Sequence, residues 1–445
     1  MDAKPRAAGV YDFGAYFRGI GKGFRILGPR GLCGILPNGD FVVMAKTLLR
    51  GNAVIGQSGG PTVVINSSLV GVIEGLRGHA EVQKILGARH AISGIVKDQY
   101  IDLTNLAADT LERLALTPSS ALGSSRDKPD AAYCQRILES FQKQNVRYFF
   151  YIGGNDSSDT CRIVAEMARA ANYELCAFHV PKTIDNDLMC NDHTPGFGSA
   201  AKFVAQAFMG DNLDNKALPG VKINVIMGRH AGFLTAAAML GRVHPAEGPH
   251  LVYVPEVEFD ADKFLGDVDA TYKKYGRCLI AVSEGISDKE HQPIAAKLAV
   301  EQGHNVERDS HGNVQLSGTG ALGDFLGIHV KKKLGIKRVR SDTFGYLQRS
   351  FAGCYSLTDI KEARKAGRKA AQLAMAGRRD GSVAIVRTNA EPYKVTFTRV
   401  ELADVAGKTR HLDVQHIVNG NNIAESFKSY ALPIVGPLPV VELLY

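Results

Sequence analysis

From Gly51 onward one unit recurs along the chain: a short apolar run, a turn rich in glycine or charge, then helical periodicity. Ala53 to Gly56 lead into Gln57-Ser58-Gly59-Gly60-Pro61-Thr62, with a helix predicted through about Leu76. Val146 to Ile152, β-branched and aromatic, breaks at Gly153-Gly154 before a helix expected to end near Ala171. Leu175 to Val180 runs into Pro181, Val221 to Met227 into Gly228-Arg229-His230-Ala231-Gly232, and Leu279 to Val282 into Ser283-Glu284-Gly285. Continuous apolar strands alternating with helices are strands buried on both faces, which predicts a parallel α/β architecture. In such sheets ligands gather beyond the carboxyl ends of the strands. Nearly every glycine-plus-charge cluster in this chain lies at such an end, which points to an enzyme.

The remaining composition sets limits. A chain of 445 residues suggests two or three domains. With 45% apolar and only 22% charged residues, wholesale disorder is excluded. Lys plus Arg exceed Asp plus Glu by 53 − 45 = 8, a surplus suited to anionic partners. The basic residues are scattered apart from Lys331, Lys332 and Lys333, a run read as solvated surface, so no nucleic-acid partner is expected. The seven cysteines are widely spaced, with no Cys-x-x-Cys pair, and read as free thiols of a reducing cytosol. No apolar stretch approaches the roughly 20 residues of a membrane span. In the first fifty residues, Gly19-Ile20-Gly21-Lys22-Gly23-Phe24-Arg25 and Gly28-Pro29-Arg30-Gly31 punctuate the chain too often for stable elements, so 1–50 is expected to be an extension outside the core.

Three clusters carry the chemistry. Gly59-Gly60 joins a strand to a helix start, where glycines admit a ligand to the backbone and free N–H groups favour an anion. Gly153-Gly154-Asn155-Asp156-Ser157-Ser158 suits a phosphate or a magnesium–phosphate complex, or equally an N-cap. Pro181-Lys182-Thr183-Ile184-Asp185-Asn186-Asp187 packs a cation, a hydroxyl and two carboxylates directly after a buried strand. Phosphoryl transfer needs that mixture: a cation on the phosphate, a carboxylate to take a hydroxyl proton, another near the metal. If the segment is extended, Lys182 is out of phase with Thr183, Asp185 and Asp187. Arg229 follows the next strand, and Gly345-Tyr346-Leu347-Gln348-Arg349-Ser350 sets another guanidinium beside a phenol, with Arg338 and Arg340 just upstream.

Taken together, these motifs resemble the phosphofructokinase family, in its pyrophosphate-dependent branch, over roughly Gly51 to Ala376. The resemblance implies two α/β lobes of mainly parallel sheets flanked by helices, with the active-site cleft between them. Residues 51–195 plus about 348–400 would form a phosphoryl-donor lobe, and 196–347 plus the tail 401–445 a sugar-phosphate lobe. The implied reaction is magnesium-dependent, reversible transfer of phosphate from pyrophosphate to the 1-hydroxyl of fructose 6-phosphate, in a cytoplasmic homodimer or homotetramer. By similarity Asp185 is the base, with Thr183 and Asp187 beside the reacting phosphate and Arg229 stabilising the phosphoryl group in transfer. Gly59, Gly60, Arg126, Asp156 and Lys182 would bind the donor, Asp156 also the metal. Met227, Gly228 and Glu284 would line the sugar site. Tyr346 and Arg349 would hold its 6-phosphate, joined by Arg340 from a neighbouring subunit.

The pattern has departures. Asn155 stands where most relatives carry Asp, moving a metal contact to Asp156 or through water. Gly220 replaces an arginine, with Lys222 the nearest substitute. Asp156 and Lys182 decide the donor, because ATP-using relatives have glycine at both positions. A carboxylate about 4 Å from an α-phosphate costs on the order of 4 kcal/mol at an effective dielectric of 20, and Lys182 neutralises a short donor. The competing readings are an ATP-dependent 6-phosphofructokinase, a nucleotide kinase such as NAD kinase, and a non-catalytic regulatory subunit. The last should have lost its base.

Overall fold

The computed structural model describes residues 26–28, 31–35, 41–43, 48–301 and 320–442. The chain divides into two compact units, Met1–Leu48 and Leu49–Tyr445. The first contains a three-stranded antiparallel sheet, β1 (Ile26–Gly28), β2 (Gly31–Ile35) and β3 (Phe41–Val43), in the order β1-β2-β3. This corrects the expectation of no stable elements there. Gly28 pairs with Gly31, so glycines that read as breakers flank a hairpin whose strands are apolar. The segment Gly19–Arg25 lies outside the described residues.

In the second unit, the strands are β4 (Gly51–Gln57), β5 (Val82–Ala88), β6 (Tyr100–Asp102), β7 (Val146–Gly153) and β8 (Cys176–Pro181). They continue with β9 (Val221–Ile226), β10 (Leu251–Tyr253), β11 (Cys278–Ser283), β12 (Val339–Thr343), β13 (Asp380–Asn389) and β14 (Lys394–Val400). One seven-stranded sheet has the order β14-β13-β8-β7-β4-β5-β6 and is parallel except for its two edge strands. A four-stranded sheet, β10-β11-β9-β12, is parallel throughout. The α/β class expected from the alternating pattern is the class observed. β7, β8 and β11 are buried at almost every position, which is why they read as unbroken apolar runs.

Helices cover both faces of the larger sheet. Ile65–Leu76 and Leu357–Met375 lie on one side, Ala131–Lys143 and Asn155–Ala170 on the other, each with its own apolar cluster. The first pair touches backbone to backbone: a Cβ added to Gly71 would sit 1.9 Å from the Arg364 carbonyl oxygen, and one added to Gly367 2.1 Å from that of Ser68. Only glycine fits at such a crossing. The helix Phe197–Ala217 begins against a buried carboxylate, Asp359, which accepts from the backbone N–H groups of Gly196 and Ser199 and from the Ser199 hydroxyl at 2.7–2.9 Å. That acceptor satisfies donors that would otherwise be orphaned at the helix start. It also fixes Gly196, which bridges Thr183 of the 182–187 segment.

Among the described residues no helix is long and apolar enough to cross a membrane. The six cysteines with described side chains are free thiols. Lys331–Lys333 are exposed in the last turn of Ala321–Leu334, a solvated end that suits the helix dipole.

Candidate active site

The carboxyl ends of β4, β7, β8, β9 and β11 open onto one cleft. It is lined by Gly59, Gly60, Arg126, Asp156, Lys182, Thr183, Asp185, Asp187, Met227, Arg229, Glu284 and Arg349 among the expected residues. Four of the expected residues are not among those lining it. Gly228 lies just behind, its carbonyl accepting from Ser283 Oγ. Tyr346 is half exposed, with the Arg349 guanidinium stacked 4.6 Å from its ring centroid. Arg340 is exposed and donates to the carbonyl of Val339. Lys222 pairs with Asp342 and, at 3.8 Å, with Asp211.

The Lys182–Asp187 segment is a turn, not an extended strand, which corrects the phase argument. Asp185 N–H donates to Thr183 Oγ1 at 3.1 Å, and Asn186 sits at φ +61°, a left-handed conformation that asparagine tolerates. The turn folds Lys182 into the same cleft as both carboxylates. Lys182 is only 3% exposed, and its Nζ donates to the Gly60 carbonyl at 2.8 Å. The paired glycines make room for this. A Cβ on Gly60 would sit 2.6 Å from Arg349 Nη1, and one on Gly59, already at φ +74°, 3.2 Å from Lys182 Nζ.

Four cations act on one carboxylate. Burial pushes the Asp185 pKa up, while Arg229, Lys182, Arg349 and Arg126 pull against it. Asp187 is pushed up to about 7, first by burial and then by the neighbouring Asp185 charge. Lys182 is pulled down to about 7 by burial, with the Arg349 charge adding to the effect. Without an anion the cleft thus holds cations at a cost, and an anion entering it relieves their repulsion. Arg349, expected at the sugar phosphate, faces Lys182, Asp185 and Arg126 as well as Glu284, so one guanidinium addresses both ends of the cleft.

Asn155 Nδ2 donates to Asp187 Oδ2 at 3.3 Å, while the buried Asn155 Oδ1 has no hydrogen-bond partner among the described residues. Asp156 stands one residue further on, exposed in the first turn of its helix, whose N-cap position is Gly154. These are hard oxygen donors, of the kind that hold magnesium together with substrate phosphates and water. Among the described residues no three His, Cys, Asp or Glu side chains gather as a preformed cage. The unpartnered Asn155 Oδ1 beside the Asp187 and Asp156 carboxylates fits a divalent metal in its donor chemistry.

Several contributors carried no recognisable sequence signal. His179, fully buried in β8, donates from Nε2 to the Gly153 carbonyl at 2.9 Å, and burial lowers its pKa to about 4, keeping the ring neutral. Gln348 ties the Tyr346–Arg349 turn to the end of β9, accepting from Met227 N–H at 3.3 Å. Gly407 and Thr409, far along the chain, form part of the cleft wall. Only their contacts reveal them.

A glycine-cradled, cation-lined cleft at the carboxyl ends of parallel strands defines a phosphate-handling α/β protein. The comparisons narrow that class. Residues 52–374 match the family model for phosphofructokinase. A pyrophosphate–fructose 6-phosphate 1-phosphotransferase of Rhodospirillum rubrum is 56% identical over 390 residues, 87% of this chain and 95% of that protein. One of the same name from Halomonas elongata is 36% identical over 86% of this chain and 91% of its own length. The crystal structure of a pyrophosphate-dependent phosphofructokinase from Marinobacter aquaeolei superposes with a TM-score of 0.76 at 32% identity, covering 88% of this chain and 93% of that one. The chain belongs to the phosphofructokinase family.

Proposed function

We propose that this protein transfers phosphate from pyrophosphate to the 1-hydroxyl of fructose 6-phosphate, giving fructose 1,6-bisphosphate and phosphate. The observation that carries this reading is the convergence of Arg126, Lys182, Arg229 and Arg349 on the half-buried Asp185 in the cleft. A base surrounded by cations suits an alcohol attacking a polyanion. Two relatives with most of their length in common carry that activity in their names.

In this reading Asp185 takes the proton of the 1-hydroxyl as its oxygen bonds the incoming phosphorus, and the bond to the leaving phosphate breaks. Its raised pKa brings it toward the operating range of a general base. Arg229 and Lys182 face the charge on the transferring and leaving groups, and the fixed positions of such cations are worth most in a water-poor cleft. Thr183 and Asp187 stand beside the reacting phosphate. Gly59, Gly60 and Arg126 hold the donor, while Met227, Gly228 and Glu284 shape the sugar site. Tyr346 and Arg349 take the 6-phosphate, with Arg340 reaching a neighbouring copy of a homodimer or homotetramer. Lys222, engaged with Asp342 and Asp211, would first have to leave those partners. Asp187, Asn155 Oδ1 and Asp156 would hold magnesium, which when bound neutralises phosphate charge.

The transfer is reversible and the enzyme cytoplasmic on this reading. Residues 51–195 with 348–400 form the donor lobe, and 196–347 with 401–445 the sugar lobe. The test is an initial-rate comparison of pyrophosphate with ATP, each against several sugar phosphates. Turnover with pyrophosphate and fructose 6-phosphate is expected, with near inertness toward ATP. Equal use of ATP would refute the donor assignment.

A further inference from the structure

The turn that carries Asp185 and Asp187 is held from a part of the chain beyond residue 374, where the family match ends. Asn186, between the two carboxylates, is wholly buried and left-handed. Its side chain has two anchors: Oδ1 accepts from Thr194 N–H at 3.0 Å, and Nδ2 donates to Tyr430 Oη at 2.7 Å. Tyr430 belongs to the helix Ser426–Val435 and in turn donates to the Asp192 carbonyl at 2.7 Å. One phenol hydroxyl thus accepts from the catalytic turn and donates to the segment that follows it. Burial raises its pKa, keeping it in the protonated form that this double role requires.

The ring that aims this hydroxyl is itself packed from several sides. Phe427, Phe233 and Phe197 lie 5.7, 6.2 and 6.5 Å away between centroids, and the Arg387 guanidinium stands 5.0 Å from the ring. Arg387 also donates to the Tyr430 carbonyl and to the Asp192 carboxylate. A second strap from the same part of the chain crosses alongside: Arg410 N–H donates to the Asp187 carbonyl at 2.7 Å, and Thr409 bridges Leu188. The two straps thus hold the adjacent residues Asn186, Asp187 and Leu188.

We propose that Tyr430 is a positioning residue for the phosphoryl-transfer step: through Asn186 it fixes the left-handed turn that presents Asp185 and Asp187 to the cleft. The proposal rests on the reading of Asp185 as the base. Neither Tyr430 nor Asn186 is among the residues that line the cleft. The effect of the hydroxyl is on how often the two carboxylates stand in the reactive geometry, so it acts on turnover rather than on affinity. A misplacement of about 1 Å at a catalytic group costs roughly 10²-fold in rate.

The experiment measures kcat and both KM values for the full chain, for Tyr430→Phe, for Asn186→Gly and for the double variant, alongside thermal unfolding. Tyr430→Phe is expected to lower kcat roughly 10- to 100-fold while both KM values stay within about threefold. Asn186→Gly keeps the left-handed backbone accessible but removes both side-chain anchors. It should lose turnover comparably, and the double variant should be scarcely worse than either single one, because one linkage is being cut twice. Multiplicative losses in the double variant would overturn the linkage. A Tyr430→Phe protein that melts lower but turns over like wild type would show a structural role only and overturn the proposal. If Tyr430→Phe does not fold, Asn186→Gly decides, with unchanged kcat overturning it. Wild-type turnover in the same assay tests the underlying reaction separately, so failure of one reading is distinguishable from failure of the other.

Discussion

Replacing Lys182 with arginine should flatten the pH dependence of pyrophosphate binding. The ammonium is 3% exposed and faces Arg349 and Arg126, and its pKa falls from an ordinary 10.5 to about 7. That drop corresponds to about 5 kcal/mol for keeping the charge in a cleft without an anion. Pyrophosphate offsets the cost, so the protonated amine is the binding form. The sign follows: affinity is full below pH 7 and is lost as pH rises through the free enzyme's pKa, up to the higher pKa of the complex. With a pKa of 7, the protonated fraction falls roughly eightfold between pH 7.5 and 8.5, and the KM for pyrophosphate should rise by about that factor. Arginine stays charged throughout this range. Its absolute KM differs because a planar fork replaces a compact ammonium, but it should lack the eightfold rise. The assay is initial-rate formation of fructose 1,6-bisphosphate at saturating sugar phosphate across pH 6.5 to 9. Comparing the two proteins cancels the ionisation of pyrophosphate itself. Identical slopes would refute the reasoning.

Asp185→Asn should lower kcat by about 10² to 10⁴ with the melting temperature little changed, since it removes a proton acceptor while keeping the shape; near-normal turnover would remove Asp185 from the base role. Arg349→Ala should raise KM for pyrophosphate as well as for fructose 6-phosphate, because its guanidinium faces both Lys182 and Glu284; a purely sugar-side effect in steady-state kinetics would confine it to one end of the cleft. Lys182→Gly should impair pyrophosphate use, and adding Asp156→Gly should let ATP turnover appear, since a carboxylate about 4 Å from a phosphate costs on the order of 4 kcal/mol at a dielectric of 20; a double variant still inert to ATP would show that other walls exclude the nucleotide. Deleting Met1 to Val43 should leave kcat unchanged, because Leu49–Tyr445 forms a compact unit of its own; a loss of turnover in the truncated protein would contradict this.

The sequence by itself determined the α/β class and the strand ends at which the site is built. It could do so because both signals are local: buried parallel strands are continuous apolar runs, and phosphate loops need glycine and charge within a few residues. Asp156, Lys182, Asp185 and Arg229, which line the cleft, were placed there by this local pattern, each within a few residues of a strand end or at a helix start. The hairpin at Gly28–Gly31 was misread because a glycine-flanked turn and a structureless stretch have the same local composition. The shape of the 182–187 turn was not legible either. An extended reading separates Lys182 from the carboxylates, whereas the left-handed Asn186 gathers them, and what holds Asn186 is Tyr430, 244 residues away along the chain. Arg349 over Gly60 and Thr409 beside Leu188 are likewise meetings of distant segments. Tertiary structure decided these, because a hydrogen bond or a close backbone approach between remote residues leaves no period or spacing in either segment alone.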